Sequence, residues 1–342
     1  MTQSIYLSRA AKNVIVPNVK PDDNVVILGS YDVDKEVYEA MAAAAYAEGC
    51  DVTVAYMSPR LAYGSPPPEP IEEMIAKADV AFTAPSTSIA HATCGVTCIN
   101  NGGKFLSIPP PTGPGNGIAF LKGLEIYDEK RLREIREKTI RWSKEYSGKK
   151  TVRIQSDLGT NLTVSIEGRR WAPMQSIAEE DSFNFASFPP SEIHIACVED
   201  SGEGVIVCDS SISGIPYDPG HPIKLFFKEG WLVDVQGGPA AKKLNAILDQ
   251  VDDNSRKLSE VGIGTNWFHK PTGFMTDDKK VAGGCHVAIG MNVSSAFCGG
   301  DPNGKNIADV HIDFNMIPQK PILELDGETL VKDGRLVLLD KE

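Results

Sequence analysis

Long apolar runs are missing from this sequence: none approaches the ~18 consecutive apolar residues that a membrane-spanning helix requires. The first residues, MTQSIYLSRAAKNVIV, also lack the basic segment and apolar run of a secretory leader. A cytoplasmic protein with no membrane partner is expected. Positive charge is scarce as well. Against 46 Asp and Glu there are 34 Lys and Arg, a net charge of −12, so no basic face is available to bind a phosphate backbone and nucleic acid is excluded as a partner. Cysteine is sparse, an odd seven (Cys50, Cys94, Cys98, Cys197, Cys208, Cys285 and Cys298) scattered over 342 residues. That is no disulfide framework, and reduced thiols are expected. Nucleotide signatures are missing too. The run Gly113-Pro114-Gly115-Asn116-Gly117 has neither the G-x-G-x-x-G spacing nor a Lys-Ser/Thr ending, so it reads as a loop rather than a phosphate cradle.

What is present belongs to a globular α/β chain. At 42% hydrophobic and 23% charged residues it can bury a core, and its length suits two lobes. Residues 1–150 alternate short apolar runs with helical patterns: VVILGS, DKEVYEAMAAAAYAEG, DVTVAYM, EPIEEMIAKA, DVAFTAP, KFLSIPP and DEKRLREIREKTIRWSKEY. Strand and helix in alternation predict a parallel sheet with crossover helices. The Pro/Gly-rich segments 65–70 and 108–117 read as loops at the sheet edges, bordering a cleft. Residues 151–342 change character. TVRIQS, LTVSIEG, SEIHIACVE, GVIVCDSSIS, PIKLFFKEG and WLVDVQGG are short runs separated by turn signals, which predicts a mainly antiparallel lobe. One helix is expected from Pro239 to about Glu260, and three more strands around VGIGTN, GCHVAIGMN and VHIDFNMI.

The chemistry concentrates in that second lobe. His311 and Asp313 stand two apart on a strand, so imidazole and carboxylate share a face; a metal taking N and O ligands suits the pair, as does a buried histidine hydrogen-bonded to its neighbour. His286 and Glu260 are polar groups in apolar, glycine-flanked strands, and Glu192 precedes a second histidine, His194, in SEIHIA. Buried charges need partners. Glu192, Glu260, His286, His311 and Asp313 together offer enough ligands for one or two divalent ions, while His194 reads as a structural histidine. In the first lobe, His91 follows the end of an expected strand, where ligands gather in open α/β sheets; the alternative is a histidine on a helix surface. Cys94 and Cys98 could join it on one helical face, but with no fourth ligand they read as core.

From about Asp23 onward the chain resembles the thermophilic-type metallo-aminopeptidases of the aminopeptidase T family. VRIQSDLGTNLTVSIEGRR is similar to their S-x-x-G-T-[DN]-L-T-x-x-[IL]-x-G-R segment. SEVGIGTN and DDKKVAGGCHVAIGMN are similar to their E-L-G-I-G-x-N and D-E-K-x-x-G-T-x-H-x-A-x-G blocks, HID to their closing H-x-D, and FPPSEIHIA to F-P-[SA]-G-E-V. The resemblance implies that all five residues are metal ligands. It departs at Val293, where the family has a catalytic tyrosine seven residues after the histidine matched by His286, and this chain is shorter than a typical member. A sister group resembling 2,5-dihydroxypyridine 5,6-dioxygenase keeps the H-x-D but has histidine in place of Glu260, for a two-histidine, one-carboxylate Fe(II) site. His91 lies in TSIAHATC, similar to an S-L-x-H-T segment of both groups, and the resemblance implies a base.

The expectation is a metallohydrolase using Zn, Co or Mn to activate water against an amide in a small molecule or short peptide, with Glu192 or His91 moving the proton. An Fe(II) ring-cleaving dioxygenase of a hydroxylated N-heterocycle is the alternative, and a non-catalytic binding relative the third. A homo-oligomer is expected.

Overall fold

The structure, a computed structural model, describes residues 3–179, 184–292, 306–337 and 339. It divides into two compact units, one formed by residues 1–138 and 174–190, the other by 139–173 and 191–342. The architecture is α/β with one parallel and two antiparallel sheets.

The first unit opens with α1 (Gln3–Ile15), which the sequence reading left unassigned. There follow β1 (Asn24–Ser30), α2 (Lys35–Ala47), β2 (Asp51–Met57), α3 (Glu69–Ala76), β3 (Val80–Thr83), α4 (Thr93–Asn100), β4 (Lys104–Ser107), α5 (Asn116–Gly123) and α6 (Glu129–Glu145), whose residues from Thr139 on belong to the second unit. The Pro/Gly-rich segments are loops only in part. Glu69 and Pro70 already belong to α3, where a proline in the first turn has no N–H to lose, and α5 starts at Asn116, after Gly115 at φ 81°.

In chain order the next strands are β5 (Thr151–Gln155), β6 (Asn161–Ser165), β7 (Ala172–Met174) and β8 (Phe185–Ser187). The last of these returns to the first unit, so the parallel sheet runs β2-β1-β3-β4-β8. Its strands are nearly continuous apolar runs because helices cover such sheets: Val25, Ile27, Leu28, Phe82, Phe105, Leu106 and Phe185 are at most 1% exposed.

Most of the second unit lies beyond that point: β9 (Glu192–Ala196), β10 (Glu203–Cys208), β11 (Ile223–Lys228), β12 (Trp231–Gln236), α7 (Pro239–Leu248), β13 (Leu258–Gly264), α8 (Met275–Asp278), β14 (Cys285–Asn292), β15 (Asn306–Met316), β16 (Ile322–Leu325), β17 (Glu328–Lys332) and β18 (Arg335–Leu336). One sheet has eight strands, ordered β12-β11-β10-β6-β5-β16-β17-β18, and the other five, ordered β15-β14-β13-β9-β7. Helix α7 is shorter than its sequence suggests. It ends at Leu248, and the Asp252 side chain accepts from the Ser255 N–H to form a separate 3-10 turn; such local side-chain bonds compete with helix continuation.

Candidate metal centre

The five-stranded antiparallel sheet has two unlike faces. One is apolar: Ile193, Ile195, Val261, Ile263, Val287, Ile289, Ile312 and Phe314 are all buried. Because side chains alternate along a strand, the other face takes Glu192, His194, Glu260, His286, His311 and Asp313, and these are buried too. Register then fixes who meets whom. Gly262 pairs with His194 on one side and His286 on the other, Glu260 with Ala196 and Ala288, Ala288 in turn with Asp313, and Gly290 with His311. Each large polar group therefore has a small residue beside it across the strands. At Gly262 that is obligatory, since a Cβ there would overlap Cε1 and Nε2 of His286 and come within 2.9 Å of its Nδ1.

His286 Nε2 sits among carboxylates from three other strands, 3.6 Å from Glu260 Oε1, 3.9 Å from Glu192 Oε2 and 4.0 Å from Asp313 Oδ1. These separations are too long for hydrogen bonds, and neither ring nitrogen of His286 has a hydrogen-bond partner among the described residues. They do suit atoms that share an ion, since ligands about 2.0–2.2 Å from one metal lie roughly 3–4 Å from each other. Ligand atoms of Glu260, His286 and Asp313 all fall within 4.8 Å of one another.

His311 is oriented from behind. Its Nδ1 lies 2.6 Å from the Met291 carbonyl, which can only accept, so Nδ1 carries the proton and Nε2 faces the cluster, 3.1 Å from Asp313 Oδ1. Asp313 Oδ2 accepts from the Ser213 hydroxyl at 3.0 Å, and its backbone N–H donates back to that hydroxyl at 2.9 Å.

Two residues that the sequence reading did not single out complete the cluster. Lys280, fully buried, places Nζ 3.1 Å from Glu192 Oε1; Lys279 reaches the same oxygen at 3.7 Å and Asp313 Oδ2 at 3.5 Å. The short helix α8 delivers both. The signal available was a pair of lysines next to a glycine-flanked apolar strand, where a buried ammonium needs a carboxylate. Burial alone would raise the pKa of Glu192, but the two ammonium groups and His286 outweigh it and hold the carboxyl below its ordinary value. Asp313 follows the same pattern: burial opposes, yet Lys279 and His311 hold it well below the carboxylate range. Burial pushes His311 down, while Asp313 reverses the sign and raises it. Lys280 is pushed down to about 8 by burial, only partly offset by Glu192. His194 is driven down by burial against the pull of Glu260 and Glu192, so it stands beside these carboxylates rather than as a remote core histidine.

His91 belongs to the first unit. It is buried in the turn between β3 and α4 rather than on a helix surface. Cys94 and Cys98 lie within α4, where the Cys98 thiol donates to the Ala78 and Lys104 carbonyls and burial pushes both thiols up to about 12. They are core residues. Val293 and Cys298 lie outside the described residues.

Comparison with known proteins adds the following. The profile of the family described as thermophilic metalloprotease (M29) matches residues 130–337, a span holding all five ligand candidates. The fold is similar to that of 2,5-dihydroxypyridine dioxygenase from Pseudomonas putida KT2440, with a TM-score of 0.73 at 16% identity over 98% of each chain. It is also similar to wild-type AmpT from Thermus thermophilus, with a TM-score of 0.65 at 17% identity over 98% of this chain and 100% of that one. No curated protein sequence matches the chain.

Proposed function

The chain belongs to the thermophilic metalloprotease (M29) family and is a metallohydrolase; from that premise we propose that it cleaves an amide bond in a small molecule or short peptide, with Glu192, Glu260, His286, His311 and Asp313 as its metal ligands. The observation that carries the reading is His286, a buried imidazole with no hydrogen-bond partner among the described residues and three carboxylates 3.6–4.0 Å from its Nε2. An isolated imidazole in such a place is costly. An ion shared with the carboxylates would satisfy it.

A divalent ion bound there supplies Lewis acidity and a water of lowered pKa. The residues around it do the rest. Glu192, kept ionised by its lysines, presents Oε2 toward the centre as a proton acceptor while Oε1 stays on Lys280. Ser213 and the Met291 carbonyl fix Asp313 and His311 so that their inward atoms need little reorganisation. The apolar opposite face anchors all four ligand strands.

The test is elemental analysis of anaerobically purified protein together with hydrolysis assays on short peptides and small amides. Zinc, cobalt or manganese with metal-dependent amide cleavage is expected. Iron with oxygen uptake on a hydroxypyridine would overturn the hydrolase reading in favour of ring cleavage.

A further inference from the structure

We infer that Asp278, a carboxylate on α8 rather than on the ligand strands, is a positioning residue for the candidate ligand Asp313, because it closes a ring of contacts in which Asp313 is a member. The inference rests on the metal-ligand assignment above and adds a residue that holds one of those ligands in place.

Asp278 is 1% exposed. Its Oδ1 accepts the backbone N–H groups of Thr272 at 2.8 Å and Gly273 at 3.1 Å, and its Oδ2 the hydroxyls of Ser211 at 2.7 Å and Ser210 at 3.1 Å. The two oxygens of a carboxylate offer about four acceptor sites, and here donors from two separate segments fill them. A buried carboxylate so satisfied is costly to move, since any shift strands donors as well as acceptor.

The serine segment carries this constraint to the ligand face. Ile212 bridges Phe314 of β15, and Ser211 takes the backbone and side-chain N–H groups of Asn315 at 3.1 and 3.0 Å. Ser213 then grips Asp313 three ways: N–H to carbonyl at 3.1 Å, hydroxyl to Oδ2 at 3.0 Å, and the Asp313 N–H to the hydroxyl at 2.9 Å. In the other direction Lys279 follows Asp278 in the chain, and its Nζ lies 3.5 Å from Asp313 Oδ2. The ring is therefore Asp278, Ser211, Ser213, Asp313 and Lys279. Both arms end on Oδ2, which leaves Oδ1 to face His286 and His311. A single hydrogen bond would let the ligand swing, whereas a closed ring does not, and loss of Asp278 releases both arms together.

The experiment needs no turnover. Zinc affinity by chelator competition, the visible spectrum of the Co²⁺-loaded protein and the thermal midpoint of the metal-free protein are compared for wild type, Asp278→Ala, Asp278→Asn, a Ser210→Ala/Ser211→Ala double variant and a control, Asp326→Ala. Asp326 also accepts backbone N–H groups, those of Lys150 and Thr151, but in the turn between β16 and β17 of the eight-stranded sheet. Asp278→Ala and the double variant should weaken zinc binding by ~10- to 100-fold and alter the cobalt spectrum. Asp278→Asn should stay near wild type in both, because its amide oxygen can keep the two backbone N–H groups while the serine hydroxyls turn to accept from its NH₂. Asp326→Ala should lower the midpoint alone. Wild-type affinity and cobalt spectrum in folded Asp278→Ala, or in the double variant where Asp278→Ala does not fold, would overturn the inference and leave the metal-centre reading standing. An equal loss of affinity in Asp326→Ala would do the same, since the effect would then be one of general destabilisation. Wild-type protein that binds neither zinc nor cobalt would overturn the metal-centre reading, and the inference with it.

Discussion

Replacing Gly262 by alanine adds a single methyl group, and the structure says where it must go. The methyl would overlap Cε1 and Nε2 of His286 and stand 2.9 Å from Nδ1, whereas non-bonded carbon contacts settle at about 3.5–4.0 Å. Even the farthest of the three atoms must then retreat by roughly 0.6 Å, and Nε2 by more than that. His286 is fully buried, so the ring cannot swing away without displacing its neighbours. Overpacking of this kind costs about 1–3 kcal/mol, reduced slightly by the ~0.4–1 kcal/mol that alanine gains over glycine in the unfolded chain. The greater effect falls on metal binding, since a misplaced ligand should lose at least the 10- to 100-fold in affinity that disturbing a supporting residue typically causes. Chelator competition measures the affinity, and thermal unfolding of the metal-free protein measures the strain. Gly123→Ala is the control: a Cβ at Gly123 meets nothing within 4 Å, so neither quantity should fall. A Gly262→Ala protein with wild-type metal affinity would refute the reasoning, because Nε2 of His286 could then not be a ligand atom.

Further expectations follow from the same structure. His311→Ala and Asp313→Ala should each lose most bound metal with the fold retained, as elemental analysis and circular dichroism will show; full occupancy in both would remove them from the centre. Asp79 accepts from the backbone N–H and then the side-chain amide of Asn24, both at 2.8 Å, which holds its carboxyl below the usual value. The stability this contributes is present above the unfolded carboxylate value of about 3.9 and is lost as pH falls through the lower folded value, so Asn24→Ala should move the acid-unfolding midpoint to higher pH; an unmoved midpoint refutes the linkage. Because Val293 stands where the resembled aminopeptidases have tyrosine, metal-loaded protein should release N-terminal residues from leucine-type substrates poorly, and robust release would show that the tyrosine is dispensable.

The strands were legible because each states its own period. DVTVAYM became β2 from Asp51 to Met57 without adjustment, and the alternation in VHIDFNMI put His311 and Asp313 on one face, as a period of two requires. Partners across strands were not legible, since register is set by long-range pairing rather than by either segment alone. Nothing in SEVGIGTN says that Gly262 will lie between His194 and His286, and nothing in FAS (185–187) says that it will join β4 at the edge of a parallel sheet. Short elements were hidden for another reason. Helix α4 is TCGVTCIN, glycine and β-branched residues that disfavour helix, and α8 is four residues long, below any periodicity.

That last omission mattered most for function. Polar residues in apolar strands mark a buried site and point to the five ligand candidates, but Lys279 and Lys280 stand just after a turn of helix, where lysine is ordinarily a solvated charge. Their burial shows only when β9 and α8 are seen together, with Lys280 Nζ 3.1 Å from Glu192. Candidate ligands on regular strands can be read from periodicity; the counter-charges beside them come from irregular segments and must be located in three dimensions. The same division explains why the candidate ligand face could be expected from the chain while the lysines beside it could not.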